Sequence, residues 1–228
     1  MRLLNKGQSI ARLTVGLDFA VNPQDMLRTV LIVLVTLIFA ACGGGGGGGD
    51  ETEPEPQPAD PRIARLAAYG TLQSHILGDD GEAGMDVSPA SAVPDSGTMN
   101  FSGFATLRAE TSGAHLVLYG DAVLSVDFAT GTADGSMDQF FGTSPEGAIV
   151  DYDGVLSMTG RSDEGSLTLD YDGALSHSSH ALELEGTMTG DFVGDPVGGI
   201  VAADYDAGLN YDGQTTGGTL IVIAEAAD

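Results

Sequence analysis

After residue 41 this 228-residue chain contains no lysine, and its only cations are Arg62, Arg65, Arg108 and Arg161, set against 31 acidic residues. The formal net charge of the whole chain is −25. A surface so short of positive charge repels phosphate backbones and anionic headgroups, which excludes nucleic-acid binding. Tryptophan is absent, aromatics make up only 6% of the residues, and the single cysteine, Cys42, rules out an internal disulfide. Several catalytic signatures are also missing: there is no Gly-x-Ser-x-Gly elbow, no His-Glu-x-x-His and no P-loop. The reading is therefore of a protein that is not an enzyme. Glycine, by contrast, is abundant. From Asp50 onward 25 of 179 residues are Gly, about twice the usual share of about 7%.

The N-terminal segment, residues 1–42, carries an address. Arg28 precedes a twelve-residue apolar run, Val30 to Ala41, which is too short for the ~20 residues of a comfortable membrane-spanning helix. A cation, a short apolar segment and small residues before a break make a secretory signal peptide. Here the break falls at Leu37-Ile38-Phe39-Ala40-Ala41-Cys42, which resembles a bacterial lipobox. In that class of precursor the cysteine is acylated and the peptide is cut in front of it. Residues 1–41 are thus expected to be a lipoprotein signal peptide and Cys42 the lipidation site. The alternative is an ordinary signal peptide, or a short anchor, with a spare cysteine. Asp18 and Asp25 fit a basic leader poorly, and a start at Met26 leaves a signal of normal proportions. Gly rather than Asp follows Cys42, and by resemblance to enterobacterial lipoproteins this implies sorting to the outer membrane.

Residues 42–61 combine seven glycines with a Pro/Glu-rich stretch, a flexible and self-repelling tether. Within 62–96, Ile63, Leu66, Ala67 and Gly70 share a helical face behind Pro61, so a short helix ending before Gly78 is expected, then loop. The remainder, 97–228, alternates with period two between turn signals. Eight strands are expected, at about 97–108, 115–128, 132–140, 148–159, 165–176, 180–190, 196–206 and 217–225. Many strands with short connections predict an all-β fold, an eight-stranded antiparallel up-and-down barrel whose closure removes its edges. Asp151-Tyr152-Asp153-Gly154 recurs as Asp170-Tyr171-Asp172-Gly173, with each Tyr on the apolar face and its aspartates on the other. A membrane-spanning barrel would show aromatic girdles, and the low aromatic content argues for a soluble one.

Three stretches carry a family resemblance: Ser96-Gly97-Thr98-Met99-Asn100-Phe101-Ser102-Gly103-Phe104-Ala105, Val126-Asp127-Phe128-Ala129-Thr130-Gly131-Thr132-Ala133-Asp134-Gly135, and Gly186-Thr187-Met188-Thr189-Gly190-Asp191-Phe192-Val193-Gly194 followed by Gly198-Gly199. They resemble the β-barrel domain of transferrin-binding-protein-B-like lipoproteins over about residues 95–225. The resemblance implies an eight-stranded barrel beside a smaller handle, lipid-anchored on or under the outer membrane, with the cell surface as the expected location. It also implies a non-catalytic role in binding a solute or protein partner, iron- or haem-related in characterised members. This chain has one barrel and almost no handle, so a transferrin-specific function does not carry over. A structural envelope lipoprotein without a soluble ligand is the alternative.

No cofactor is required by the sequence, but two sites are candidates. If the turn near Ser162–Asp163 joins its strands symmetrically, Asp153 faces Asp172, with Asp151 and Asp170 nearby. Such facing carboxylates are either screened by solvent or bridged by calcium. His177 and His180 lie in a turn and are either an exposed pair or ligands to haem or a metal. On a regular strand their spacing would point them to opposite faces. Partner contacts are expected in the loops 109–114, 141–147, 177–180 and 207–216 of a monomer.

Overall fold

Asp60 is where the described chain begins to take shape: its carboxylate accepts the backbone N–H of Arg62 at 3.0 Å and caps a helix whose first residue is Pro61. The Arg62 side chain also bonds this carboxyl, and those hydrogen bonds hold Asp60 below the usual carboxylate range. Helix α1 runs Pro61–Leu77 and stops at Gly78, whose φ of 79° suits glycine. A side chain there would also meet the Gly84 backbone at 2.4 Å. In this computed structural model the described residues are 60–79, 82–110, 115–144 and 147–227. The expected signal peptide, Cys42 and almost all of the tether lie outside them.

Eight strands follow: β1 Thr98–Glu110, β2 His115–Asp127, β3 Thr132–Thr143, β4 Ile149–Asp163, β5 Ser166–His177, β6 His180–Val193, β7 Gly199–Tyr211 and β8 Gln214–Ala226. Each pairs antiparallel with the next, and β8 closes on β1 through pairs from Gly218↔Ala109 to Ala226↔Phe101. The expected barrel is present with all eight strands. Several run further than the sequence pattern indicates because their turns are only two residues long. At Glu164-Gly165 and Asp212-Gly213 both central residues have positive φ, which matches the twist of the flanking strands.

Alternate residues fill the interior: Phe101, Leu107, Leu118, Leu124, Met137, Leu156, Leu169 and Leu175 are all buried. Each such side chain contributes about 1.5–3 kcal/mol by leaving water. On β4–β6 the outward positions are mostly Asp, Glu, Ser and Thr, and exposed. An apolar inside with a polar outside is the reverse of a barrel that spans lipid.

One part of the outer wall departs from this rule. Phe104 of β1, Tyr119 of β2 and Phe141 of β3 point outward yet are buried. Helix α1 covers Phe104 and Phe141, and Tyr119 packs beside Phe141. Tyr69 stacks on Phe104 with ring centroids 4.7 Å apart, and the Arg65 guanidinium lies 4.7 Å from the centre of the Phe141 ring. Arg65 also pairs with Asp121 at 2.9 Å, and the Tyr69 hydroxyl donates to the same carboxylate. A bulge in β3, where pairing shifts between Met137 and Phe140, leaves the Gln139 carbonyl turned outward, and Arg65 donates to it at 3.0 Å.

Beyond the helix, the segment expected as loop contains a ribbon of two-residue strands (Gly78–Asp79 with Glu82–Ala83) and a 3-10 turn, Ala90–Ala92. It is stitched across one end of the barrel by the Val87↔Val193 bridge, Ser88 N–H to Phe192 O at 2.9 Å and Ser88 Oγ to Gly194 O at 2.6 Å. Phe101, Phe128 and Phe192 cluster beneath this stopper.

Candidate functional site

The end of the barrel opposite the stopper is where β1, β3, β5 and β7 finish and β2, β4, β6 and β8 begin. His177 ends β5 and His180 begins β6, separated only by Ser178-Ser179 with Ser178 at φ 56°. The two histidines are register partners. This corrects the expectation of opposite faces: the tight turn reverses the chain between them and brings both to one face, the one that continues inward to Leu175 and Leu182.

Each imidazole is held from its outer flank. His177 Nδ1 lies 2.9 Å from the carbonyl of Asp151 on β4, and its ring leans on Tyr152 with centroids 5.5 Å apart. His180 Nδ1 lies 2.7 Å from Asp212 Oδ2, and its ring stacks on Tyr211 at 5.8 Å and 8°. Asp212 Oδ1 also accepts the Ala181 N–H at 2.8 Å. The hydrogen bond from His180, then that from Ala181, holds the Asp212 carboxyl below its ordinary range. Tyr152, His177, His180 and Tyr211 therefore stand in sequence along this rim, two imidazoles between two phenol rings.

The aspartates are placed differently from the sequence expectation. The turn is centred on Glu164-Gly165, so the β4–β5 register pairs Asp153 with Ser176 and Asp172 with Ser157. Asp153 and Asp172 do not face each other, because the strands run two residues further than the assumed turn. Asp172 accepts from Ser157 Oγ at 2.8 Å and Asp170 from Thr187 Oγ1 at 2.7 Å, while Asp151 pairs with Arg62 at 3.3 Å. All four lie on the exposed outer face, as the alternation with Tyr152 and Tyr171 predicts. Among the described residues no three His, Cys, Asp or Glu side chains are grouped to hold a metal ion.

One further polar pair lies inside the wall. Tyr171 reaches across β6 to donate to Asp204 Oδ2 at 2.9 Å, and burial, reinforced by this carboxylate, pushes its phenol well above the tyrosine range. Gly186 makes the room: a Cβ there would stand 2.5 Å from the Tyr171 hydroxyl. The sequence reading missed Tyr211 and Asp212 as well. A signal for them existed, since Tyr211-Asp212-Gly213 is a third copy of the Tyr-Asp-Gly unit seen at 152–154 and 171–173.

No protein-family model and no curated protein matches the chain. Solved structures similar to it include a single and a double mutant of the vaccine antigen Transferrin Binding Protein B from Haemophilus parasuis Hp5. Each is 12% identical over 62% of this chain, with TM-scores of 0.44 and 0.45. The chain spans 28% of the length of those proteins.

Proposed function

We propose that this protein is a lipid-anchored, surface-displayed binding module of the outer membrane, whose barrel captures a solute or protein partner without chemical turnover. The observation that carries the reading is the position of the single cysteine, immediately after Leu37-Ile38-Phe39-Ala40-Ala41. Acylation there supplies the several chains that stable anchoring needs, since one chain alone binds membranes only marginally. The Gly/Pro/Glu tether then sets the barrel at a distance from the bilayer. The transferrin-binding-protein-B-like stretches at 96–105, 126–135 and 186–194 support a capture role, with an iron-related or haem ligand as the finer expectation. The rim at His177 and His180 is the part of the barrel we assign to contact, because it presents functional groups above the packed core.

Lipidation is tested by growing cells with radiolabelled palmitate and partitioning the protein between detergent and aqueous phases. The wild type is expected to take up label and enter the detergent phase. Cys42→Ala is expected to stay unlabelled and unprocessed. An unlabelled wild-type protein in the aqueous phase would overturn the anchor.

A further inference from the structure

The barrel strands carry the tripeptide Asp-Tyr-Asp at 151–153, 170–172 and 204–206. In the first two copies the tyrosine is buried, Tyr152 and Tyr171 each being 2% exposed, and the aspartates face out. The third copy is turned over. Tyr205 is 61% exposed, and no other Tyr or Phe among the described residues is exposed. The cause is a bulge in β7. Residues 204–208 of β7 span only 185–188 of β6, between the pairs Ala203↔Thr189 and Leu209↔Leu184. On the other edge Tyr205 and Asp206 stand opposite Thr219 alone. One extra residue inverts the alternation of the strand. Ile200 and Ala202 are accordingly the buried positions before the bulge, and Ala207 and Leu209 after it.

Asp204 holds the bulge with both carboxylate oxygens. Oδ2 accepts the Tyr171 hydroxyl at 2.9 Å through the room left by Gly186, and Oδ1 accepts the Asp206 N–H at 3.0 Å. Strand β7 thus gives up pairing on both edges, and the wall's own hydrogen bonds keep Tyr205 in water. Bulges re-aim side chains in this way beside functional sites. A tyrosine ring offers a partner a broad amphipathic contact at little cost in rotamer freedom. Asp206 is its exposed neighbour, and Glu183 and Glu185 are exposed on the adjacent strand β6. None of these three carboxylates is in an ion pair among the described residues. Arg108 lies two strands away, beyond Thr219, and is paired with Glu110 at 3.1 Å.

We infer that Tyr205 anchors a docking surface on the outer face of β6–β7 for a basic protein segment, with an Arg or Lys of the partner over its ring and the carboxylates of Asp206, Glu183 and Glu185 around that cation. A cation over an aromatic face is attracted by the ring, and unpaired carboxylates beside it supply charge complementarity. Acidity by itself marks no place on this barrel, because carboxylates are spread over its outer wall; the re-aimed ring localises the contact. The inference goes beyond the binding-module reading, which assigns contact to the rim, and it does not depend on lipidation.

The test is fluorescence anisotropy of a labelled hexa-arginine peptide titrated with the purified full-length protein in neutral detergent, with circular dichroism to verify folding. Wild-type protein should bind it and should not bind a hexa-glutamate peptide. Tyr205→Ala, which leaves the net charge unchanged, should weaken binding at least about tenfold. Tyr205→Phe keeps the ring and should stay within about twofold of wild type. Asp206→Asn should weaken binding by about threefold, whereas Asp134→Asn, the same loss of charge on the outer face of β3, should bind as the wild type does. Folded wild-type protein that does not bind the peptide would overturn the proposal. So would binding that Tyr205→Ala leaves unchanged, which is diffuse electrostatic attraction, or a neutral hexasaccharide bound through Tyr205 in place of the peptide. Palmitate labelling and phase partition are unaffected by any of these results, so failure here is distinguishable from failure of the anchor.

Discussion

Phe104 on β1 and Val155 on β4 are both outward-facing apolar residues of the same barrel, yet the first is 3% exposed and the second 53%. The difference is α1. On the wall formed by β1–β3 the helix lays Tyr69 and Arg65 over Phe104 and Phe141, so the outer face becomes a second, smaller core. On the β4–β6 wall the helix reaches only the edge, where Arg62 pairs with Asp151, and the remaining outer surface is acidic and hydroxylic. One wall is therefore stabilised from both sides and the other from one side only. This teaches where the molecule can vary at little cost: outward changes on the bare wall alter charge and recognition, whereas the same changes under the helix alter folding.

Substitution separates the walls most sharply at Phe104. Phe104→Ala should destabilise the barrel by about 3 kcal/mol, measured as a lower urea midpoint, because it removes the ring stacked beneath Tyr69 and leaves a cavity. Equal stability of variant and wild type would mean that the helix does not pack on this wall in solution. A smaller effect touches both walls together. Burial holds the phenols of Tyr69, Tyr119 and Tyr171 above the ordinary tyrosine range, with Asp121 adding to it at Tyr69 and Asp204 at Tyr171. The folded chain thus keeps these protons more tightly than the unfolded chain. The stability they represent is complete below the unfolded value of about 10 and is lost as the pH rises above it. Urea midpoints should hold up to about pH 10 and fall above it; midpoints that do not move would contradict the burial of these rings. The smallest effect belongs to Val155→Ala, expected to stay within about 0.5 kcal/mol of wild type because the side chain is largely in water already. A loss comparable to that of Phe104→Ala would show that the bare wall is covered.

The same contrast explains what the sequence made legible. Period-two alternation reports a strand with one face in water, and on β4–β6 it gave both the strands and the outward placement of Asp151, Asp153, Asp170 and Asp172. Under the helix it is blurred: Phe104-Ala105, Phe140-Phe141 and Tyr119 put apolar side chains on both faces, and only the tertiary contact says why. The helix itself was readable from Pro61 and the spacing to Gly70, but its partner surface was not. Register was lost to turn chemistry. A two-residue turn at Glu164-Gly165 moves every β4–β5 pair relative to a turn placed at Ser162–Asp163, which undid the facing of Asp153 and Asp172. For the histidines the same chemistry worked in the other direction, turning a spacing that reads as divergent on a strand into a registered pair across a hairpin.

Whether the rim faces the medium is the question on which the functional account turns. Protease shaving of intact cells carrying the protein with a C-terminal epitope tag, beside a Cys42→Ala control, addresses it directly. The account predicts loss of the tag from wild-type cells while the outer membrane is intact, and protection of the Cys42→Ala protein. Protection of the wild type until the membrane is permeabilised would contradict surface display and place the barrel in the periplasm, as a structural lipoprotein of the envelope.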